Sequence, residues 1–254
     1  MPWVFQAKRD AAFLEALRRL RQAPDSPPAI PTLEPSQDNV PPEGAFTQRI
    51  SWLVERIPRG SRLLDLGCGK GEILHYLHQH RQVDYLGLER ESEHLAACHR
   101  IGVRAIPADF NQLDDPALRF ACSQQWDTVL IIDSLIYWRC PALVLAALQD
   151  RCQRIFVTVN NAGHLRYRWQ LLRGKENNLP NARGSSTDGQ IEFSTEWFNN
   201  RWTMSSFQSW GEALGYNIKP LARRGVNAEY LPLGFLPGCF CRSVLYELTP
   251  KRVA

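Results

Sequence analysis

The sequence predicts an α/β fold, a doubly wound, mostly parallel seven-stranded sheet of the Rossmann-like kind with an N-terminal helical extension. Three observations predict it. A short apolar strand, Leu63-Leu64-Asp65-Leu66, runs straight into Gly67-Cys68-Gly69-Lys70-Gly71-Glu72, where three alternate glycines open a helix. Strand and helix patterns then take turns from Arg62 to Val159, the signature of parallel strands joined by crossover helices. Finally, an acid stands at or just beyond the end of four of those strands, at Asp65, Glu89, Asp109 and Asp133. In such sheets ligands sit beyond the carboxyl ends of the strands, so the four acids share one rim.

The elements follow in order. Residues 3–22 read as an amphipathic helix with Phe13, Leu14, Leu17 and Leu20 on one face and most of the arginines elsewhere, and residues 1–22 are taken as a separate N-terminal piece. That face is expected to pack on the core or on a partner chain, in a homodimer or against a partner enzyme; the alternative is a cover over the ligand site. Residues 23–44 form a linker holding seven of the seventeen prolines, which excludes helix and favours an extended chain. The remaining domain, 45–254, begins with a helix over Thr47–Ile57. Strands are expected at Arg62–Leu66, Tyr85–Glu89, Arg104–Ala108, Asp127–Ile132 and Arg154–Val159. Helices are expected at Glu72–His80, Ser92–Ile101 and Pro141–Asp150, and an expanded polar loop at about 175–200.

Composition narrows the function classes. With 44% hydrophobic and 22% charged residues the 254-residue chain supports one sizeable core with a small appendage. A net charge of +4 from 30 basic and 26 acidic residues, with no basic arm, argues against a nucleic-acid partner. No apolar run approaches membrane-spanning length and the N-terminus lacks a signal-peptide core, so the expected location is cytoplasmic, with no membrane partner. Seven scattered cysteines, an odd number, suit reduced thiols. Cys239 and Cys241 are too close for the usual zinc knuckle, and His75 and His78 lack a carboxylate or cysteine partner in a cleft, so no metal is expected.

The glycine loop narrows the ligand. Its spacing is G-x-G-x-G rather than the dinucleotide G-x-G-x-x-G, and Asp65 and Glu72 would both repel a pyrophosphate. A P-loop is excluded because no G-x-x-x-x-G-K-[ST] follows Gly67. A zwitterion with a cationic ammonium and a small carboxylate fits better, with Asp65 holding the ammonium, directly or through water, and the loop amides, Gly67, Cys68 and Gly69 among them, together with the helix N-terminus holding the carboxylate. S-adenosylmethionine (SAM) has that zwitterion, and its demethylated product is S-adenosylhomocysteine (SAH). Glu89 lies 18 residues beyond Gly71, where a strand-end acid accepts hydrogen bonds from ribose hydroxyls, with Arg90 beside it. Asp109 is placed to take an adenine amino group with Phe110 against the ring, or else to cap the following turn.

With these positions in place, the chain resembles the class I SAM-dependent methyltransferases, and within them the MetW family of methionine-biosynthesis proteins. The resemblance covers most of the chain from about Thr47. It rests on RISWLVERIPRGSRLLDLGCGKGEIL, on the stretch from Asp127 through Arg139 to Pro141, on NNAGHLRYRWQLLRGK at Asn160–Lys175, and on Glu196-Trp197-Phe198. The glycine motif is common to the class; the pattern Gly163-His164…Arg166…Arg168…Gln170-Leu171-Leu172 is more specific. The first helix, the proline-rich linker and the long segment before Trp197 are additions. After the fourth strand, Ile132-Asp133-Ser134-Leu135-Ile136 replaces the family's usual Ser-Gln-Thr-Leu-Gln. The resemblance implies a SAM-dependent enzyme that methylates an O or N atom of a small molecule or short peptide. The alternative it implies is a SAM-binding accessory protein that regulates a partner such as a homoserine acyltransferase.

Methyl transfer is an in-line displacement, so the protein mainly aligns the acceptor and excludes water. A base is needed only if the acceptor carries a proton, and the candidates are His164, Asp133 and Tyr137. Asp133 has two readings, orienting the acceptor or bonding the cofactor's ammonium; His164 has the alternative of a structural loop histidine. Tyr137, Trp138, Arg168, Trp197 and Trp202 are the candidate substrate contacts, because flat apolar walls suit a small aromatic or lipophilic acceptor and an arginine suits an anionic group on it.

Overall fold

The computed structural model describes residues 11–33, 50, 52–174, 202–224 and 230–251. Five parallel strands form the first half of the sheet: β1 (Arg62–Leu66), β2 (Asp84–Glu89), β3 (Ala105–Pro107), β4 (Trp126–Ile131) and β5 (Cys152–Asn160). β6 (Tyr216–Arg224), the two-residue β7 (Tyr230–Leu231) and β8 (Ser243–Pro250) complete it. The order is β3-β2-β1-β4-β5-β8-β6-β7, with β8 inserted antiparallel between β5 and β6. The expected seven strands are thus present, and the short β7 adds an eighth at the edge. The chain reverses its winding between β1 and β4, so the crevice beyond the carboxyl ends of β1, β2 and β4 is where this fold accepts a ligand.

The strands β1–β5 fall where the apolar runs placed them, because they are buried on both faces and read as near-continuous hydrophobic stretches. One core, built on Leu64, Leu66, Val129 and Ile131, lies beneath α4 (Pro116–Ser123) and α5 (Pro141–Leu148); the other, built on Leu63, Leu130 and Phe156, lies beneath α2 (Glu72–Arg81) and α3 (Ser92–Arg100). Helix α4 carries sequence signals beyond those used above: Asp115 caps it through bonds from the amides of Ala117 and Leu118, and Pro116 opens it. Helices α6 (Leu165–Leu172), α7 (Met204–Ala213) and the single turn α8 (Pro237–Phe240) follow β5 and precede β8.

The N-terminal helix, α1 (Ala11–Arg21), packs on α4 and α5. Leu20 is fully buried in the first core, with Phe13, Ala16 and Leu17 against it. Arg21 donates to the carbonyls of Ala146 (2.7 Å) and Ala147 (3.3 Å) at the end of α5 and pairs with Asp150 at 2.9 Å, where a cation meets the negative end of that helix. Phe13, Leu17 and Leu20 of the apolar face thus pack on the chain's own core, as the packing expectation has it, whereas Leu14 stays exposed. Leu20→Ala should cost about 3 kcal/mol, from lost burial plus the cavity left behind, and a fall in denaturant midpoint at unchanged slope would register it. Most of the linker, the helix start before Ile50, and the expanded loop with Trp197 lie outside the described residues.

No helix among the described residues is long and apolar enough to cross a membrane. All seven cysteines are free thiols.

Candidate functional site

The crevice is built from the ends of β1, β2 and β4. Asp65 lies in register with Gly87 of β2 and Leu130 of β4, flanked by strands on both sides. It is 1% exposed, and its Oδ1 has no hydrogen-bond partner. Burial, reinforced by the charge of Glu89, pushes its carboxyl up to about 8. A buried carboxylate with an idle oxygen is costly unless a cation or donor is brought to it.

Above Asp65 the glycine loop turns with Gly67, Gly69 and Gly71 all at positive φ. The three differ in what surrounds them. A Cβ on Gly67 would lie 2.5 Å from Ser134 Cβ, and one on Gly71 2.9 Å from Cys98 Sγ, whereas one on Gly69 would meet nothing within 4 Å. Gly67 and Gly71 are thus glycine for packing, and Gly69 leaves open space over the loop. Cys68 does not face that space. Its thiol is buried 4.0 Å from Cys98 Sγ, and Cys98 Sγ donates to Gly69 O at 3.1 Å, so the two thiols support the loop from behind.

The loop's amides are mostly taken. Gly67 and Cys68 both donate to Leu88 O (2.8 and 3.1 Å), Gly71 donates to Cys68 O, and Gly69 donates to Glu89 Oε2 at 2.7 Å. Of the amides expected to hold a carboxylate, those of Gly67 and Cys68 are thus committed to the main chain, and that of Gly69 is bonded to a side chain, Glu89. Glu89 is buried, and its other oxygen accepts from the amides of Arg90 (2.8 Å) and Glu91 (3.0 Å). The Arg90 side chain reaches out to pair with Glu91 at 2.9 Å.

At the end of β3, Asp109 accepts from the Asn111 amide (3.0 Å) and from Gln112 Nε2 (3.2 Å), the turn-capping arrangement foreseen as its alternative. Phe110 is buried beside Gly67 and stacks on Trp138 at 5.0 Å between centroids. Trp138 is itself only 1% exposed, so its indole belongs to the wall behind the crevice. Trp202 lies next to Asn161 through a parallel bridge, and its ring enters the core against Phe207 and Trp210.

Beyond β4, Asp133 adopts φ 57, an unusual conformation for a residue with a side chain. Tyr137 ends the 3-10 turn Leu135–Tyr137, and burial together with the Asp133 charge raises its phenol above the ordinary value. Asn111 ties the rims of β3 and β4 together, donating to Tyr137 O (3.3 Å) and accepting from the Arg139 amide (2.7 Å). On the far side, His164 caps α6: its Nδ1 accepts from the Arg166 amide at 3.1 Å. Burial first, then the charges of Arg242 and Arg166, hold its pKa below the ordinary value. Arg168 is exposed and donates from Nε to Gly163 O at 2.8 Å.

The structure thus brings Asp65, Gly67, Gly69, Glu89, Phe110 and Asp133 around one crevice. It engages Asp109 and His164 in local caps and sends the Trp138 and Trp202 rings into the core. Among the described residues no group of three or more His, Cys, Asp or Glu could hold a metal ion. Three contributors were not singled out from the sequence: Ser134, Asn111 and Thr158. Asn111 carries a faint signal, a turn residue two places after Asp109; Ser134 and Thr158 carry none, because their partners are distant in the chain.

A family model described as "Methionine biosynthesis protein MetW" matches residues 48–186, more than half of the chain. No curated protein sequence matches. Among solved structures, the YcgJ protein of Bacillus subtilis superposes with a TM-score of 0.55 at 11% identity, over 81% of this chain and 99% of that one. A chain from the Haloferax volcanii complex of the Trm112 methyltransferase activator with a methyltransferase gives 0.54 at 13% identity, over 81% and 90%. The magnesium protoporphyrin IX methyltransferase of Synechocystis PCC 6803, solved with bound SAH, gives 0.53 at 12% identity, over 95% of each chain. At these identities the likeness is one of fold.

Proposed function

Because the chain belongs to the MetW family of methionine biosynthesis proteins, we propose that it is a SAM-dependent methyltransferase acting on an O or N atom of a small molecule or short peptide. One observation carries the reading: a buried carboxylate, Asp65, with an idle oxygen beneath the open space at Gly69. A dinucleotide pyrophosphate would add negative charge where Asp65 and Glu89 already repel each other. A ligand whose near end is a cation relieves that repulsion, and the residues present therefore fit SAM.

When bound, SAM supplies a methyl group already activated on a sulfonium. The chain's own residues then do four things. Asp65 would hold the ammonium, directly or through water. Glu89 would exchange its bond from the Gly69 amide for ribose hydroxyls, which leaves that amide free for a carboxylate. Phe110, braced by Trp138, would limit the space for the adenine. Asp133 and Tyr137 would border the transferring methyl; the raised pKa of Tyr137 keeps its phenol a donor at neutral pH, suited to orienting an acceptor oxygen or nitrogen rather than deprotonating it. His164 would serve as a base only if the α6 cap opened, because its Nδ1 accepts from the Arg166 amide and the proton of the neutral ring then sits on Nε2.

Calorimetric titration with SAM and SAH, followed by incubation with methyl-labelled SAM and fractionated cell extract, tests the reading. Binding plus label transfer to a small-molecule or peptide fraction is expected. Binding without transfer, together with altered activity of a co-purifying acyltransferase, would replace it with the accessory role. Absence of binding would remove both.

A further inference from the structure

Asp133 does not hold its left-handed conformation unaided. Its amide donates to Thr158 Oγ1 at 2.6 Å, and the same hydroxyl donates back to Asp133 Oδ1 at 3.0 Å. One threonine side chain thus satisfies both the main chain and the carboxylate of a single residue 25 positions away. Thr158 is well placed for this. It is buried on β5, paired with Leu245 of β8, so its hydroxyl has a rigid sheet behind it. The next residue, Ser134, donates to Leu66 O and packs directly on Gly67. The turn carrying Asp133 is therefore pinned on one side to the sheet through Thr158 and on the other to the cofactor loop through Ser134.

We propose that Thr158 is a positioning residue, which clamps Asp133 in its left-handed backbone and aims its carboxylate toward the methyl-bearing sulfonium of the cofactor. The chemistry favours threonine there. A non-glycine residue at this φ carries a conformational cost, which a buried hydroxyl that both accepts and donates can offset. Valine has the same shape with neither function. The turn would then relax, and the carboxylate would lose its fixed direction, although Thr158 itself lies buried on β5. The inference rests on the reading of Asp133 as a residue that faces SAM, and the experiment separates the two.

SAM affinity is measured by calorimetry for the full chain and for Thr158→Val, Thr158→Ser, Asp133→Gly and the double variant Asp133→Gly/Thr158→Val. Thr158→Val should weaken SAM binding about tenfold, and Thr158→Ser, which keeps the hydroxyl, should stay within about threefold of the parent. Glycine is at home in the left-handed region and has no carboxylate to aim. In the Asp133→Gly background, Thr158→Val should therefore change SAM affinity no further, an outcome that a merely structural threonine would not produce. Circular dichroism confirms that each variant is folded. If Asp133→Gly weakens binding but Thr158→Val does not, or if Thr158→Val weakens it equally in both backgrounds, Thr158 has no positioning role. If Asp133→Gly binds SAM as the parent does, the reading of Asp133 fails and the clamp fails with it.

Discussion

Asp65→Asn is expected to abolish SAM binding, by at least about a hundredfold, while making the ligand-free protein more stable at pH 8. Both effects come from one group. Asp65 is buried, has an unpartnered oxygen, and titrates at about 8 in the folded chain against 3.8 for an ordinary aspartate. Between those two values the folded state holds a proton that the unfolded state has released. Stability of the ligand-free protein therefore falls as pH rises from about 4 to about 8, by an amount on the order of a few kcal/mol. Asparagine keeps the shape, carries no charge, and should flatten that slope. The same titration predicts that SAM binding near pH 7 expels a proton, because a cation beside Asp65 favours the ionised form. Calorimetry in two buffers of different ionisation enthalpy measures the proton, and melting curves at pH 5 and pH 8 measure the slope. An Asp65→Asn variant that binds SAM normally, or melts lower than the parent at pH 8, would refute this account.

Gly67→Ala and Gly69→Ala should separate folding from binding at two positions one residue apart. At Gly67 the methyl group would sit 2.5 Å from Ser134 Cβ on a backbone at φ 89. Ser134 would have to retreat, giving up its bond to Leu66 O and pulling Asp133 with it. Left-handed strain of about 1–2 kcal/mol adds to an overpacking cost of about 1–3 kcal/mol, so a lower melting temperature and weak SAM binding are expected together. At Gly69, with φ 56 and nothing within 4 Å, only the conformational cost of about 1 kcal/mol applies. That variant should fold and melt near the parent yet lose SAM, since the methyl group fills the space left for the ligand. Equal melting temperatures for the two variants would show that the Gly67–Ser134 contact yields without cost.

Much of the fold was legible locally. Apolar runs bounded by turn residues marked β1 to β5, because strands buried on both faces need little beyond their own composition to be recognised. Helix α4 announces itself only through Asp115 and Pro116, and eight residues give the apolar period little room to repeat. The antiparallel insertion of β8 between β5 and β6 is invisible in the chain, since strand order is a property of pairings rather than of segments. The aromatic residues show the same limit. Trp138 and Trp202 have a composition that suits a substrate wall, but Phe110, Phe207 and Trp210 decide which way their rings turn.

At the rim, the residues next to one another in sequence determined what could be known early. A strand, an acid and alternate glycines restrict the ligand by charge and close approach, which are local requirements. The sequence by itself thus determined the fold class and the acidic rim of the crevice. Only the tertiary structure decided that the amides of Gly67, Cys68 and Gly69 are already occupied, that the N-terminal helix packs on α4 and α5, and that Asp133 is held by Thr158 and tied to the loop through Ser134. Those facts depend on hydrogen bonds between residues 20 to 126 positions apart, and nothing in a local pattern encodes which distant donor will meet which acceptor.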